Sequence, residues 1–111
     1  MDKRTFTAQE VLFEEGSRSG AAYVIQTGRV ILSKRTRNGF SKEIADIGPG
    51  EIIGEVSLIT DEPHSVTAVA HESGAALVLS KDEYLERLER SDKALAMILK
   101  SVVARLRGSY T

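Results

Sequence analysis

The chain has 111 residues, which is enough for one domain with a modest hydrophobic core. Hydrophobic residues make up 41% and charged residues 28%, the composition of an ordinary globular protein. A net charge of −1 excludes a general attraction to nucleic acid or anionic membrane, and the absence of cysteine excludes disulfides and cysteine-bound metals. We expect a cytoplasmic protein, because no apolar run approaches the roughly 20 residues that span a bilayer and the N-terminus lacks a signal-peptide core.

The first third of the chain predicts short strands separated by glycine-containing turns. In chain order, the predicted segments are a polar, irregular lead-in at 1–8, an apolar run at Val11–Phe13, a loop at 17–20, a strand at 22–26, a turn at Thr27 and Gly28, and a strand through Val30 and Leu32. In the strand at 22–26, Tyr23 and Ile25 share one face.

The next segment predicts a β-hairpin, because Asn38 and Gly39 both tolerate positive φ. Four cations surround this turn: Lys34, Arg35, Arg37 and Lys42. They are either an anion- or nucleic-acid-binding patch or solvated charges that discourage pairing at a sheet edge, and we favour the second interpretation. Residues 44–47 predict the return strand, which the Gly48-Pro49-Gly50 sequence ends.

Further strands follow residue 65 and complete an all-β pattern. Thr67, Val69 and His71 alternate with an apolar face at 66, 68 and 70. Ser73 and Gly74 predict a turn, and residues 75–79 are apolar enough for a buried strand. Many short strands at close spacing predict an antiparallel roll or barrel.

The C-terminal third predicts two helices. Ser80 and Glu83 have the spacing of a capping box, followed by an apolar side at Tyr84, Leu85 and Leu88. Ser91 is the predicted cap of the second helix, with Asp92 in its first turn.

The second helix has an apolar stripe and a glycine stop. The stripe consists of Leu95, Leu99, Val102 and Leu106, flanked by Ile98 and Val103, with the stop at Gly108. It either packs on the β-roll of the same chain, which we favour, or pairs with a second copy.

The stretch 48–70 carries the most specific pattern. A strand ends at a glycine, a short apolar helix begins at Glu55, and His64 and Ser65 follow Pro63. This order resembles the phosphate-binding cassette of cyclic-nucleotide-binding domains, of the catabolite-activator and kinase-regulatory-subunit type: Gly-Glu-apolar-x-Leu, a loop, then Pro-Arg-Ser/Thr-Ala-Thr. The upstream segments 11–16, 22–30 and 47–51 resemble the same family, so the resemblance covers about residues 6 to 107.

The resemblance implies one domain over residues 1–111. Its fold is mainly β: an antiparallel β-roll of the double-stranded β-helix or jelly-roll type over about 6–79, with a short cassette helix, then two C-terminal helices over about 81–107. It implies cyclic AMP or cyclic GMP, or another small phosphate compound, as a possible ligand, and no cofactor.

The resemblance also assigns roles by position. Gly54 is the tight entry to the cassette helix, and Glu55 accepts a hydrogen bond from the ribose 2′-hydroxyl. Val56 and Ser57 offer backbone N–H groups near the phosphate, and Ser65 hydrogen-bonds it.

Two positions depart from the family pattern. His64 stands where the family has its phosphate-binding arginine, and Val66 stands where it has a small alanine. A neutral imidazole offers one ordinary donor in place of a charged bidentate fork, so we predict weakened or lost nucleotide affinity. If a phosphate binds, a protonated His64 favours it, and affinity rises from pH 8 to pH 6.

Catalysis and metal binding are not predicted. His64 and His71 are the only histidines and face opposite sides of an extended strand, while Ser57, Asp61 and His64 lack a nucleophile motif. The predicted function is a non-catalytic sensor that relays ligand occupancy through its C-terminal helices. The alternative is a degenerate copy of the fold that acts as a protein-interaction or dimerisation module, with a homodimer through the last helix. No nucleic-acid binding by this chain alone and no membrane insertion are expected.

Overall fold

The computed structural model describes residues 1–18 and 20–108, with side chains up to Arg105. Strands come first and two helices end the chain, with one short helix between the fifth and sixth strands. In order, the elements are β1 (Asp2–Phe6), β2 (Val11–Phe13), β3 (Ala21–Arg35), β4 (Ser41–Ile47), β5 (Ile52–Ile53), α1 (Glu55–Thr60), β6 (Thr67–Ser80), α2 (Lys81–Arg90) and α3 (Lys93–Gly108). This confirms the predicted antiparallel β-roll with a cassette helix and two C-terminal helices.

Two long strands, β3 and β6, form the spine of the sheet. They pair antiparallel from Ala21↔Ser80 to Ser33↔Thr67, and the main path of the sheet is β1-β6-β3-β4. The short strands β2 and β5 pair with β6 and β3. The core is aliphatic with a few aromatic rings, and it includes Phe6, Phe13, Tyr23, Ile25, Val30, Ile53, Ala68 and Ala70.

The prediction of an irregular lead-in at residues 1–8 is wrong, because β1 is a regular strand. It pairs with β6 from Asp2↔Val78 to Phe6↔Gly74. Four of its five residues are polar, and only Phe6 is fully buried, at 3% exposure, so the sequence shows no alternating apolar pattern. Arg4 also anchors it, donating to the Glu10 carboxylate at 3.0 Å and to the Tyr23 hydroxyl at 3.2 Å.

The predicted turns at Thr27–Gly28 and Ser73–Gly74 are also wrong, because β3 and β6 run straight through them. The two segments lie against each other where the register shifts through a series of bulges. A Cβ on Gly74 would lie 2.1 Å from the carbonyl oxygen of Thr27, and one on Gly28 would lie 2.7 Å from that of Ser73. The glycines therefore allow two backbones to touch inside a bent sheet.

The predicted hairpin joins β3 to β4. The Thr36 N–H donates to the Phe40 carbonyl at 2.6 Å, and Gly39 takes the positive φ, +81°. Its four cations, Lys34, Arg35, Arg37 and Lys42, are exposed. Lys34 and Lys42 are cross-strand partners, and both interpretations of this patch stay predictions.

The capping box of α2 is confirmed, since the Ser80 hydroxyl accepts from the Glu83 N–H at 3.2 Å. The predicted cap of α3 is wrong by one residue. Ser91 ends α2, with its hydroxyl donating to the Leu88 carbonyl at 2.7 Å, and the Asp92 carboxylate caps α3 by accepting from the Ala94 N–H at 2.8 Å. A carboxylate at a helix start also gains from the helix dipole.

The apolar face of α3 is turned relative to the predicted stripe. Leu99 is half-buried and Val103 is 7% exposed, whereas Leu95, Ile98 and Val102 are 60%, 60% and 48% exposed. The side chain of Leu106 lies outside the described residues. On α2, Leu85 also faces out at 46% exposure, against prediction. None of the described helices is long and apolar enough to cross a membrane.

Candidate functional site

The residue that precedes the short helix α1 has a backbone conformation and close neighbours that favour glycine. Gly54 has φ +80°, and a Cβ there would lie 3.0 Å from the Ala21 carbonyl oxygen and 3.3 Å from Cε1 of His64. The helix α1 has six residues and is capped at its C-terminal end by Asp61, whose N–H donates to the Ser57 carbonyl at 3.0 Å. Leu58 is 2% exposed and anchors the helix in the core.

A cavity of about 340 Å³ opens beside the start of α1. This volume lies within the roughly 300–1,000 Å³ of small-molecule sites. The structure brings all of the sequence-predicted site residues to its lining: Gly54, Glu55, Val56, Ser57, His64, Ser65 and Val66.

The sequence interpretation missed much of the cavity wall. Apolar side chains from four strands complete it: Phe13, Leu32, Ile47, Ile52 and Ile53. Thr60, Glu62 and Pro63 add to its edge. Phe13 and Ile47 belong to the segments 11–16 and 47–51 that resemble the family, which is a sequence signal for both. Leu32, Ile52 and Ile53 carry no local pattern that distinguishes them from core residues.

His64 is buried at 4% exposure, and its ring stacks on Phe13 with centroids 3.9 Å apart and planes 15° apart. Its backbone is fixed on both sides, because the His64 N–H donates to the Ser17 carbonyl at 2.9 Å and the Gly16 N–H donates to the His64 carbonyl at 2.8 Å. Burial lowers the pKa of the imidazole below its usual value. His64 therefore stands in the cavity wall as a neutral ring at pH 7.

The other polar groups of the cavity differ in their exposure and in the hydrogen bonds that they already make. Glu55 is half-buried, and Ser65 is exposed. The Ser57 hydroxyl is committed elsewhere, because it donates to the Glu62 carbonyl at 2.6 Å. The amides of Val56 and Ser57 lie in the first turn of α1, where N–H groups have no helical carbonyl to bond.

The charges around the cavity are negative. Glu55 and Glu62 are the acidic residues of its lining, and no lysine or arginine of the described chain is part of it. The lining therefore offers backbone amides and hydroxyls to a ligand, but no lysine or arginine of the described residues.

Of the Ser57, Asp61 and His64 set, the Ser57 hydroxyl donates to the Glu62 backbone carbonyl and the Asp61 carboxylate pairs with Lys81. His64 is buried whereas His71 is exposed. Over residues 1–18 and 20–108, no group of three metal-ligating side chains comes together.

Comparison with known proteins places the chain in a family. The model of the cyclic nucleotide-binding domain matches residues 3–91. The cyclic AMP receptor protein of Thermus thermophilus is 32% identical over 88 residues, which are 79% of this chain and 41% of that protein. The chain thus spans about two fifths of the length of this curated relative.

Solved structures of similar fold agree with this assignment. The catabolite activator protein of Thermus thermophilus matches with a TM-score of 0.82 and 29% identity, over 97% of this chain and 51% of that chain. The cyclic-AMP-bound EAL enzyme Bd1971 matches with a TM-score of 0.83 and 28% identity, over 98% of this chain and 29% of that chain. The cavity at α1, the β-roll around it and these matches together show that the chain belongs to the cyclic nucleotide-binding domain family.

Proposed function

We propose that this chain is a non-catalytic, cytoplasmic sensor domain that binds a small cyclic nucleotide beside α1 and relays its occupancy to the C-terminal helices. One observation carries the proposal: the cassette residues of the family line one cavity, and α1 lies against β3, α2 and α3. The similar EAL enzyme Bd1971 has a cyclic-AMP-bound and a cyclic-GMP-bound form, which supports this ligand class. Ligand binding then shifts the population of helix arrangements.

The proposed roles follow the positions around the cavity. Glu55 accepts from a ribose hydroxyl, and Gly54 lets the backbone approach the ligand. The amides of Val56 and Ser57, together with the Ser65 hydroxyl, bond the phosphate oxygens. The half-buried position of Glu55 on the cavity edge supports its role.

Affinity is weak in this proposal, because the site lacks a fixed cation. Each charge-assisted hydrogen bond of an arginine fork contributes about 1.5–3 kcal/mol, and a neutral, stacked His64 supplies none. The loss lowers affinity by about two orders of magnitude, at tenfold per 1.4 kcal/mol. Val66 adds two methyl groups to the same wall.

Calorimetry with cyclic AMP and cyclic GMP at pH 7.5 tests the proposal. We expect a dissociation constant weaker than micromolar for the natural chain and at least about tenfold tighter binding for His64→Arg. His71→Arg is the matched control, because it adds the same charge at an exposed position on β6. A sub-micromolar constant for the natural chain, or equal gains from both variants, contradicts the proposed chemistry.

A second candidate function is a protein-interaction or dimerisation module with a pocket that no longer binds nucleotide. An exposed apolar strip on α3 favours this function, and the proposed assembly is a homodimer through that strip. The strip consists of Leu95, Ile98 and Val102. Thermal melting separates the two candidates, because a ligand stabilises by RT ln(1 + [L]/Kd). No melting shift with millimolar cyclic nucleotides or inorganic phosphate favours the interaction module.

A further inference from the structure

Lys81 is the first residue of α2, but its side chain contacts the C-terminal end of α1. Its Nζ donates to the Leu58 carbonyl at 2.5 Å and pairs with the Asp61 carboxylate at 3.2 Å. The side chain is 24% exposed, and its Nζ lies 5.5 Å from the centroid of the Tyr84 ring. The ammonium is therefore held between the end of one helix and the first turn of another.

The stability of α2 does not explain a lysine at this position. A cation at a helix start faces the positive end of the dipole, which is unfavourable, whereas the same cation at the end of α1 is favourable. Lys93, the first residue of α3, shows the contrast. Its side chain is exposed and makes no hydrogen bond or ion pair within the described part of the chain.

The geometry connects the cavity to α2 over a short distance. The cavity lining includes the first turn of α1 and also Thr60 at its last residue, and Lys81 bonds the Leu58 carbonyl between them. Glu55 and Leu58 lie three residues apart in a helix that is roughly 9 Å long, so we expect a displacement of α1 at Glu55 to shift the Leu58 carbonyl as well. The Lys81 backbone is fixed in turn, because its N–H donates to the Gly20 carbonyl at 2.8 Å.

We propose that Lys81 is the positioning residue that couples α1 to α2, through its bond to the Leu58 carbonyl. This rests on the proposed function, in which α1 responds to a ligand, but the coupling itself exists without one. Asp61 is a minor partner, because its side chain is 78% exposed and a solvent-screened ion pair contributes little.

The experiment uses a mutation as the input, so that it does not depend on nucleotide binding. Ser57→Ala removes the bond from the Ser57 hydroxyl to the Glu62 carbonyl at the cavity. Its effect is measured as amide chemical-shift changes along α2, in the natural chain and in Lys81→Met, Lys81→Arg and Lys93→Met backgrounds. We expect the changes to persist with Lys81→Arg and Lys93→Met and to vanish with Lys81→Met, which keeps the apolar stem and removes the charge.

Hydrogen exchange in the last turn of α1 is a second measurement, which reports directly on the contact with Lys81. Lys81→Met speeds hydrogen exchange in the last turn of α1 by about tenfold, the equivalent of one charge-assisted hydrogen bond, while Lys93→Met does not. Coupling that survives in Lys81→Met, or that is absent from the natural chain, overturns the inference. A lack of cyclic nucleotide binding in calorimetry overturns only the proposed function.

Discussion

At the scale of single residues, His64 is a packed ring in the cavity wall at the position where the resemblance predicts an arginine. The imidazole fills its space by stacking on Phe13 at 3.9 Å, so the wall stays packed without a charged group. Because burial lowers its pKa, protonation in the free protein occurs below the usual range near pH 6.5. The expected rise in affinity on acidification therefore shifts to lower pH than it would for an exposed imidazole.

The same pKa shift predicts acid sensitivity of the fold. The unfolded chain binds a proton at His64 near pH 6.5, whereas the folded chain binds it only at lower pH. The contribution of neutral His64 to the free energy of unfolding is therefore fully present above about pH 6.5 and is lost as the pH falls towards the pKa of the folded state. Each unit of lowering corresponds to about 1.4 kcal/mol. Urea unfolding at pH 7.5 and 5.5 measures the loss.

His64→Leu and His71→Leu form a matched pair for this measurement. We expect His64→Leu to lose less free energy of unfolding on acidification than the natural chain. We expect His71→Leu, at an exposed position, to lose as much as the natural chain. Equal losses in all three proteins would show that other groups cause the acid sensitivity.

At the scale of elements, sequence alone predicted what depends on local pattern and missed what depends on distant partners. The hairpin at Gly39, the Ser80 cap and the helix start after Gly54 all carry local signals, and all form. The strand β1 does not, because its polar sequence becomes a strand only through pairing with residues 74–78 of β6, which are distant in sequence. The sequence predicts a turn at Gly74 because a glycine in a turn and a strand glycine at a backbone contact look the same in sequence.

Gly74→Ala tests the backbone contact between β3 and β6. The added Cβ would lie 2.1 Å from the Thr27 carbonyl oxygen, so the two strands must separate. We expect a loss of at least about 2 kcal/mol in the free energy of unfolding, measured in urea, from this overpacking.

Gly39→Ala is the comparison, because nothing lies within 4 Å of its Cβ position and only the positive φ opposes it. Its expected cost is about 1–2 kcal/mol from backbone strain alone. If Gly74→Ala costs less than Gly39→Ala, the strands are not in tight contact at this point.

At the scale of the whole molecule, the site is predictable where it is continuous in sequence. Residues 54–57 and 64–66 are near neighbours along the chain and share one cavity. Its walls come from β2, β3, β4 and β5, and the curvature of the roll brings these strands together. The position of α3 was the hardest to predict, since its two apolar faces at 95, 98 and 102 and at 99 and 103 overlap in sequence and only packing separates them.

The proposed homodimer rests on the outer of these faces. Leu95, Ile98 and Val102 are spaced by three and four residues, so they form one exposed apolar strip along α3. We expect the natural chain to sediment at twice its 12.1 kDa mass at micromolar concentration, and Ile98→Lys to sediment as a monomer with unchanged helical circular dichroism. Met97→Lys is the control, because Met97 is 70% exposed but lies off this strip. A natural chain that stays monomeric at high micromolar concentration, or a dimer that survives Ile98→Lys, removes α3 as the interface and leaves the strip as an ordinary apolar surface of a single domain.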